Sequence, residues 1–189
     1  MPARFRPAIA LAALSLVAAQ NADYLRAKHK IDSIGQERVP AGAVVTLTPK
    51  EINAWAETEA SDKYPDAVRR PVISLGEGRA TGQALVDFSK LTSGEGGGTW
   101  LLRMLLEGER PVSVTVRLES AGGMATVDLE RVEISGVPIE GRTLSLLLDY
   151  VFRPRYPEAK IGEPFELSHH MEAIRIRPER VEIKIKNHK

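Results

Sequence analysis

Ile134-Ser135-Gly136-Val137-Pro138-Ile139-Glu140-Gly141-Arg142-Thr143-Leu144-Ser145-Leu146-Leu147-Leu148-Asp149-Tyr150-Val151-Phe152 is the stretch on which the fold turns. A strand ends at Ile134, Gly136 and Pro138 turn the chain, and a short, very apolar helix runs from Leu144 to Phe152. Such a helix needs a surface to cover. Strands supply it. Upstream, Val112, Val114, Val116 and Leu118 alternate with Ser113, Thr115, Arg117 and Glu119, the pattern of a half-buried strand. Ala121-Gly122-Gly123 turns the chain, and Val127 and Leu129 continue the alternation on the way back. The phase slips at Glu130-Arg131 and resumes at Val132 and Ile134, which predicts a β-bulge.

Downstream, residues 153–164 read as a proline-containing loop and residues 166–171 as an extended segment. The chain closes on two alternating runs, Ala173-Ile174-Arg175-Ile176-Arg177 and Val181-Glu182-Ile183-Lys184-Ile185-Lys186, with Pro178-Glu179 between them. This is a terminal hairpin in which Arg175 is expected opposite Glu182.

Toward the N-terminus, residues 79–88 form a strand whose first face carries Ala80, Gly82, Ala84, Val86 and Phe88. Gly76-Glu77-Gly78 joins it to a shorter strand over 71–76. Thr48-Pro49-Lys50-Glu51 is the clearest helix start in the chain. Thr48 caps, Pro49 fits the first helical position, and Glu51 stands three residues after the cap. The helix over 49–60 sets Ile52, Trp55 and Ala56 on one face, and residues 43–47 precede it as a short strand. Gly94-Glu95-Gly96-Gly97-Gly98 is a loop; Thr99-Trp100 follows it where a phosphate loop would need Lys-Ser or Lys-Thr. Residues 100–107 form a second apolar helix, with Trp100, Leu101, Leu102, Met104, Leu105 and Leu106 around a single Arg103.

Residues 1–22 have the plan of a secretory signal peptide. Arg4 and Arg6 precede an apolar run from Ala8 to Ala19, and small residues follow, with cleavage expected after Ala19 or near Ala22. The alternative, an uncleaved membrane anchor, meets the difficulty that the run is shorter than the roughly 20 residues a span requires. Residues 23–42 read as a linker or loose N-terminal segment, and residues 43–189 as one domain. The whole chain holds 26 basic and 25 acidic side chains, and losing Arg4 and Arg6 leaves 24 basic ones. That balance excludes the basic surplus of a nucleic-acid binder. The chain has no cysteine, so neither a disulfide framework nor the acylated cysteine of a lipoprotein is available. Localisation in the periplasm or outside the cell is expected.

The tally of hairpins and short helices predicts an α+β fold, with a strongly curved antiparallel sheet of about six to eight strands on two or three short helices. No nucleophile elbow or cysteine nucleophile is present. His169-His170-Met171-Glu172 is the one imaginable metal site, but neighbours on an extended chain point to opposite faces. We therefore expect no enzyme, no cofactor and no metal. The two leucine-rich helices carry more apolar surface than one side of a short helix can hide. Trp55, Trp100, Leu101, Met104, Leu105, Leu144, Leu147, Leu148, Val151 and Phe152 are the expected lining of a hydrophobic ligand site.

The order of parts resembles a known family. A signal peptide is followed by Leu47-Thr48-Pro49-Lys50-Glu51-Ile52-Asn53 opening a helix. Long antiparallel strands come next, then Gly136-Val137-Pro138-Ile139 leading to a leucine-rich helix, and a final hairpin. This layout is similar to small bacterial envelope proteins of the TULIP-like, tubular lipid-binding type. It departs from them in lacking a lipoprotein cysteine and in its short helices. The resemblance implies a curved antiparallel sheet wrapped on a helix around an apolar groove, lipid binding or transfer in the periplasm, and no catalysis. The expected partner is a lipid or other hydrophobic ligand. The alternative is a periplasmic interaction or structural module that docks on an envelope protein or rests on a membrane surface.

Overall fold

The computed structural model describes residues 8–91, 107–153, 157 and 160–187, with side chains left aside at 8–19, 150 and 151. In chain order the elements are α1 (Ala8–Gly35), β1 (Val44–Leu47), α2 (Pro49–Lys63), β2 (Val68–Gly76), β3 (Arg79–Asp87), α3 (Phe88–Leu91), β4 (Glu109–Ala121), β5 (Met124–Ile134), β6 (Val137–Pro138), α4 (Gly141–Leu147), β7 (Phe165–Glu166), β8 (Met171–Arg177) and β9 (Arg180–Ile185). A π-helical turn, Leu148–Phe152, extends α4. The fold is α+β. Its strands form two antiparallel sheets, one of three strands in the order β1-β9-β8 and one of six in the order β2-β3-β4-β5-β6, with β7 beside the far end of β5. No helix among the described residues is long and apolar enough to cross a membrane.

The second sheet is the main departure from the single sheet read in the sequence. The terminal hairpin does not extend the large sheet. It pairs with β1, whose Val45 and Leu47 face Ile183 and Val181 across some 140 residues of chain. Alternation identifies strands but not such distant partners. Arg175 does stand opposite Glu182 in the β8–β9 ladder. The Glu182 carboxylate nevertheless takes its hydrogen bond from Arg180, at 2.6 Å, because that side chain lies two residues away on the same face.

Residues 23–35, read as a linker or loose segment, belong to helix α1. The stripe that holds it is Ala27, Ile31 and Ile34, which pack with Leu47, Ile52, Trp55, Ile183 and Ile185. Alanine at the centre of this stripe made it inconspicuous, and Leu25, the obvious apolar residue nearby, points to solvent.

Helix α2 starts as its capping sequence demands. Thr48 Oγ1 accepts the Glu51 N–H, and the Glu51 carboxylate accepts the Thr48 N–H at 2.8 Å. The same carboxylate, 3% exposed, takes two hydrogen bonds from Lys30 Nζ on α1 at 2.7 and 2.9 Å. Lys30 also donates to the Thr46 carbonyl of β1 at 2.8 Å. Burial opposes ionisation of Glu51, but the Lys30 and Thr48 hydrogen bonds outweigh it and hold its carboxyl below the usual range. Two residues on, the Asn53 amide pairs with β2: its Nδ2 donates to the Ile73 carbonyl at 2.9 Å, and its Oδ1 accepts the Ile73 N–H at 2.7 Å. The segment from Thr48 to Asn53 therefore fastens α1, β1 and β2 to α2.

The sheets meet where hairpin tips of the large one reach the free edge of β8. Gly78 N–H donates to the Ile176 carbonyl (3.0 Å), and Gly123 N–H to that of Glu172 (2.7 Å). Between them, Ser120 Oγ donates to the Ile174 carbonyl at 2.6 Å and accepts its N–H at 2.7 Å. An edge that would otherwise offer unpaired backbone to another chain is thereby closed. Glycine suits this junction because the φ of Gly123 is +85°, a conformation that other residues adopt only under strain.

Candidate functional site

The register of β3, β4 and β5 sorts the large sheet into two unlike faces, since directly opposed residues share a side. Ala84, Gly82 and Ala80 stand against Val112, Val114 and Val116. Those valines and Leu118 stand in turn against Ile134, Val132, Leu129 and Val127. On the reverse, Arg79, Thr81 and Gln83 oppose Arg117, Thr115 and Ser113. The Thr81 and Thr115 hydroxyls lie 2.9 Å apart. The bulge expected at Glu130-Arg131 is present, because Val116 pairs with Leu129 and Thr115 with Arg131, leaving Glu130 as the extra residue. Glu130 turns to the polar side and accepts from Arg79 Nε and Arg117 Nε, each at 2.6 Å. The Arg79 and Arg117 hydrogen bonds hold its carboxyl below the ordinary range.

Helix α4 and its π-helical turn lie at one end of the apolar face. Leu147 is buried with Val86, Phe88, Val132, Ile134 and Ile139, and Leu144 packs against this cluster. The helix widens where Arg153 N–H reaches back five residues to the Leu148 carbonyl at 2.8 Å. Such π turns are rare and recur at functional sites. Val112, Val114, Val116, Leu118 and Val127 are all half-buried although they sit on central strands, and Val112 and Val114 are the ones among them that pack against the buried cluster of the described residues. Ile134 is the only large side chain among the described residues that is completely buried.

The apolar row begins with a cation. Arg110 pairs across the ladder with Val86 and precedes Val112 by two residues, so its side chain starts on the apolar face. Its Nε is shut off from solvent and has no hydrogen-bond partner among the described residues. A strand read from Pro111 onward misses this residue. Extending the alternation back past Pro111 would have placed Arg110 in phase with the valines.

Of the ten expected lining residues, the structure brings Leu144 and Leu147 together on this face, and leaves Leu148 and Phe152 half-buried in the π turn. Trp55 belongs to the other cluster, against α1 and the small sheet, and does not join them. Trp100, Leu101, Met104 and Leu105 lie outside the described residues, as does the side chain of Val151. The glycine loop over 94–98 lies outside them as well.

Two of the hollows among the described residues lie elsewhere, and none of the ten residues lines either. One, of about 350 Å³, sits on the polar face beside Arg70, Val72 and Leu85. The other, of about 320 Å³, lies beyond the end of α1 and includes Glu37, His169 and His170. His169 and His170 are not extended. They are the central residues of a Ser168–Met171 turn, both with positive φ, so the opposite-faces argument does not apply to them. His170 Nδ1 lies 3.4 Å from Glu37 Oε1. No group of three or more histidine and carboxylate side chains among the described residues has the geometry to hold a metal ion.

Compared with known proteins, the sequence matches no family and no functionally characterised protein.

Proposed function

We propose that this chain is an exported, non-enzymatic protein of the bacterial cell envelope that binds a lipid or other hydrophobic ligand on the apolar face of its six-stranded sheet. The observation that carries this reading is the half-buried group Val116, Leu118 and Val127 on the middle strands, beside a core in which Ile134 is the one large side chain fully buried among the described residues. Apolar area left next to water is area a hydrophobic ligand can cover, at roughly 25 cal/mol per Å². The order of elements that resembles tubular lipid-binding proteins points the same way. The apolar N-terminal run, with its small residues at 17, 19 and 22, supports export to the periplasm or beyond. A second reading, docking on an envelope protein, is favoured by Val72, about half exposed on the polar face of the large sheet, and by Val137, about half exposed on its edge strand β6.

The test is native mass spectrometry of the protein purified from an expressing envelope, followed by organic extraction and by titration with a fluorescent acyl probe. The expected result is an added mass that extracts as lipid. Val116→Lys, on the apolar face, should lower probe affinity at least about tenfold, since an unpaired cation replaces an apolar contact. Ser113→Lys, on the polar face, should leave it unchanged. A folded protein that carries no lipid and takes up no probe would overturn the reading and transfer weight to the docking module.

A further inference from the structure

The polar face of the large sheet holds a hollow in which polar groups go unmatched. Val72, Gln83, Ser113 and Glu133 are directly opposed across β2, β3, β4 and β5, and Leu85 and Pro111 stand side by side in the next row of that face. Together with Arg70 they line the space of about 350 Å³. Small-molecule sites run from roughly 300 to 1,000 Å³. From β2 to β5 is three strand spacings, roughly 14 Å.

Arg70 stands out among its neighbours. On the same face Arg69 is matched with Glu109, Arg79 and Arg117 with Glu130, and Arg131 with Glu133. The Arg70 guanidinium has no hydrogen bond or salt bridge among the described residues, and neither the Gln83 amide nor the Ser113 hydroxyl has one. One row further along, the Thr81 and Thr115 hydroxyls do satisfy each other. Arg70 also sits at the register shift of β2, with a φ of +50°. A residue with a side chain is strained in that conformation. Such strain collects at ligand sites, and a bulge is a device for re-aiming a side chain. Beside it Val72, about half exposed, gives the hollow an apolar surface that the fold leaves uncovered.

We infer that this hollow binds a small hydroxylated organic anion of the sugar-acid class. Arg70 grips the carboxylate, Gln83 and Ser113 hydrogen-bond the hydroxyls, and the carbon skeleton rests on Val72, Leu85 and Pro111. A planar guanidinium matches a carboxylate with two parallel hydrogen bonds. An amide and a hydroxyl each donate and accept, as a sugar hydroxyl requires. Glu133 does not cancel the Arg70 charge, because it forms the far wall and is already paired with Arg131. The site lies on the opposite side of the sheet from the apolar face and does not depend on hydrophobe binding there.

The experiment is isothermal titration calorimetry of the full chain with glucuronate, glucose 6-phosphate and glucose, on the wild type, Arg70→Gly, Arg70→Gln and Gln83→Ala. The wild type should bind glucuronate about tenfold or more tightly than glucose, the order expected of one charge-assisted contact. Arg70→Gly and Arg70→Gln should both bind glucuronate only as tightly as the wild type binds glucose. Arg70→Gly should do so with a melting temperature equal to or above that of the wild type, because glycine takes the positive φ without strain. Gln83→Ala should weaken glucuronate and glucose alike. Wild-type protein that binds neither sugar, or a glucuronate preference that survives both Arg70 substitutions, would overturn the inference. Tighter binding of glucose 6-phosphate than of glucuronate would overturn the assignment of a carboxylate. Should either Arg70 variant not fold, the other decides the matter.

Discussion

Replacing Glu51 by glutamine tests the link on which the smaller core depends. The side chain keeps its shape, and its remaining oxygen can still cap the Thr48 N–H. What is lost is the charge that Lys30 Nζ meets at 2.7 and 2.9 Å. A hydrogen bond to a charged group contributes roughly 1.5–3 kcal/mol and a neutral one roughly 0.5–1.5. One of the two bonds is downgraded and the other lost, since the amide nitrogen of glutamine cannot accept from Lys30, and with solvent replacing part of the lost bond the cost comes to about 2–3 kcal/mol. It stays below the roughly 3–5 kcal/mol of a fully buried broken pair, because the Lys30 side chain is 32% exposed and its ammonium keeps the Thr46 carbonyl as a partner. For a chain of this size about 2–3 kcal/mol lowers the melting temperature by roughly 5–10 °C. The pH dependence is a sharper check. The folded-state pKa of Glu51 lies below the ordinary value near 4.5, so ionised Glu51 stabilises the fold above that pH. The contribution is lost as pH falls through the lower folded-state value, because the unfolded chain takes up the proton first. Urea unfolding followed by circular dichroism should show the gap between wild-type and Glu51→Gln protein at full size at pH 7 and shrinking below about pH 4.5. A variant within about 0.5 kcal/mol of wild type at pH 7, or a gap that does not change with acid, would refute the assignment of Lys30–Glu51 as the tie between α1 and α2.

Other substitutions probe the remaining joints. Asn53→Ala removes both amide contacts to Ile73 and should destabilise by about 1–3 kcal/mol, with faster hydrogen exchange at the Ile73 amide as its local signature. Ser120→Ala should free the β8 edge at Ile174; a loss of about 1–2 kcal/mol and selective exchange at that amide would mark Ser120 as a tie between the sheets. Leu147→Ala empties part of the cluster under α4 and should cost about 2–4 kcal/mol in chemical denaturation, whereas a loss under 1 kcal/mol would mean that α4 does not close the large-sheet core.

What could be read from the sequence divides along the range of the interactions. Thr48, Pro49 and Glu51 set the start of α2 within three residues of chain, and the cap forms as their identities require. The slip of phase at Glu130 is equally local, and it puts one extra carboxylate between Arg79 and Arg117 on the polar face. Where pairing partners are far apart, alternation alone could not choose. It gave β1 and β9 without their union, and so two sheets were read as one. Small side chains hid the rest: Ala27 centres the α1 stripe, and Asn53 looks like an ordinary helix residue until the edge of β2 lies beside it. The candidate site shows the same division. Leu144 and Leu147 could be named because a helix so apolar must face a core, while Trp55, equally apolar, sits in a different core because α1 and the small sheet reach it first. Arg110 escaped because a cation two residues before a row of valines reads as the solvent-exposed end of a strand. Only the register, which sets it against buried Val86, turns it onto the apolar face.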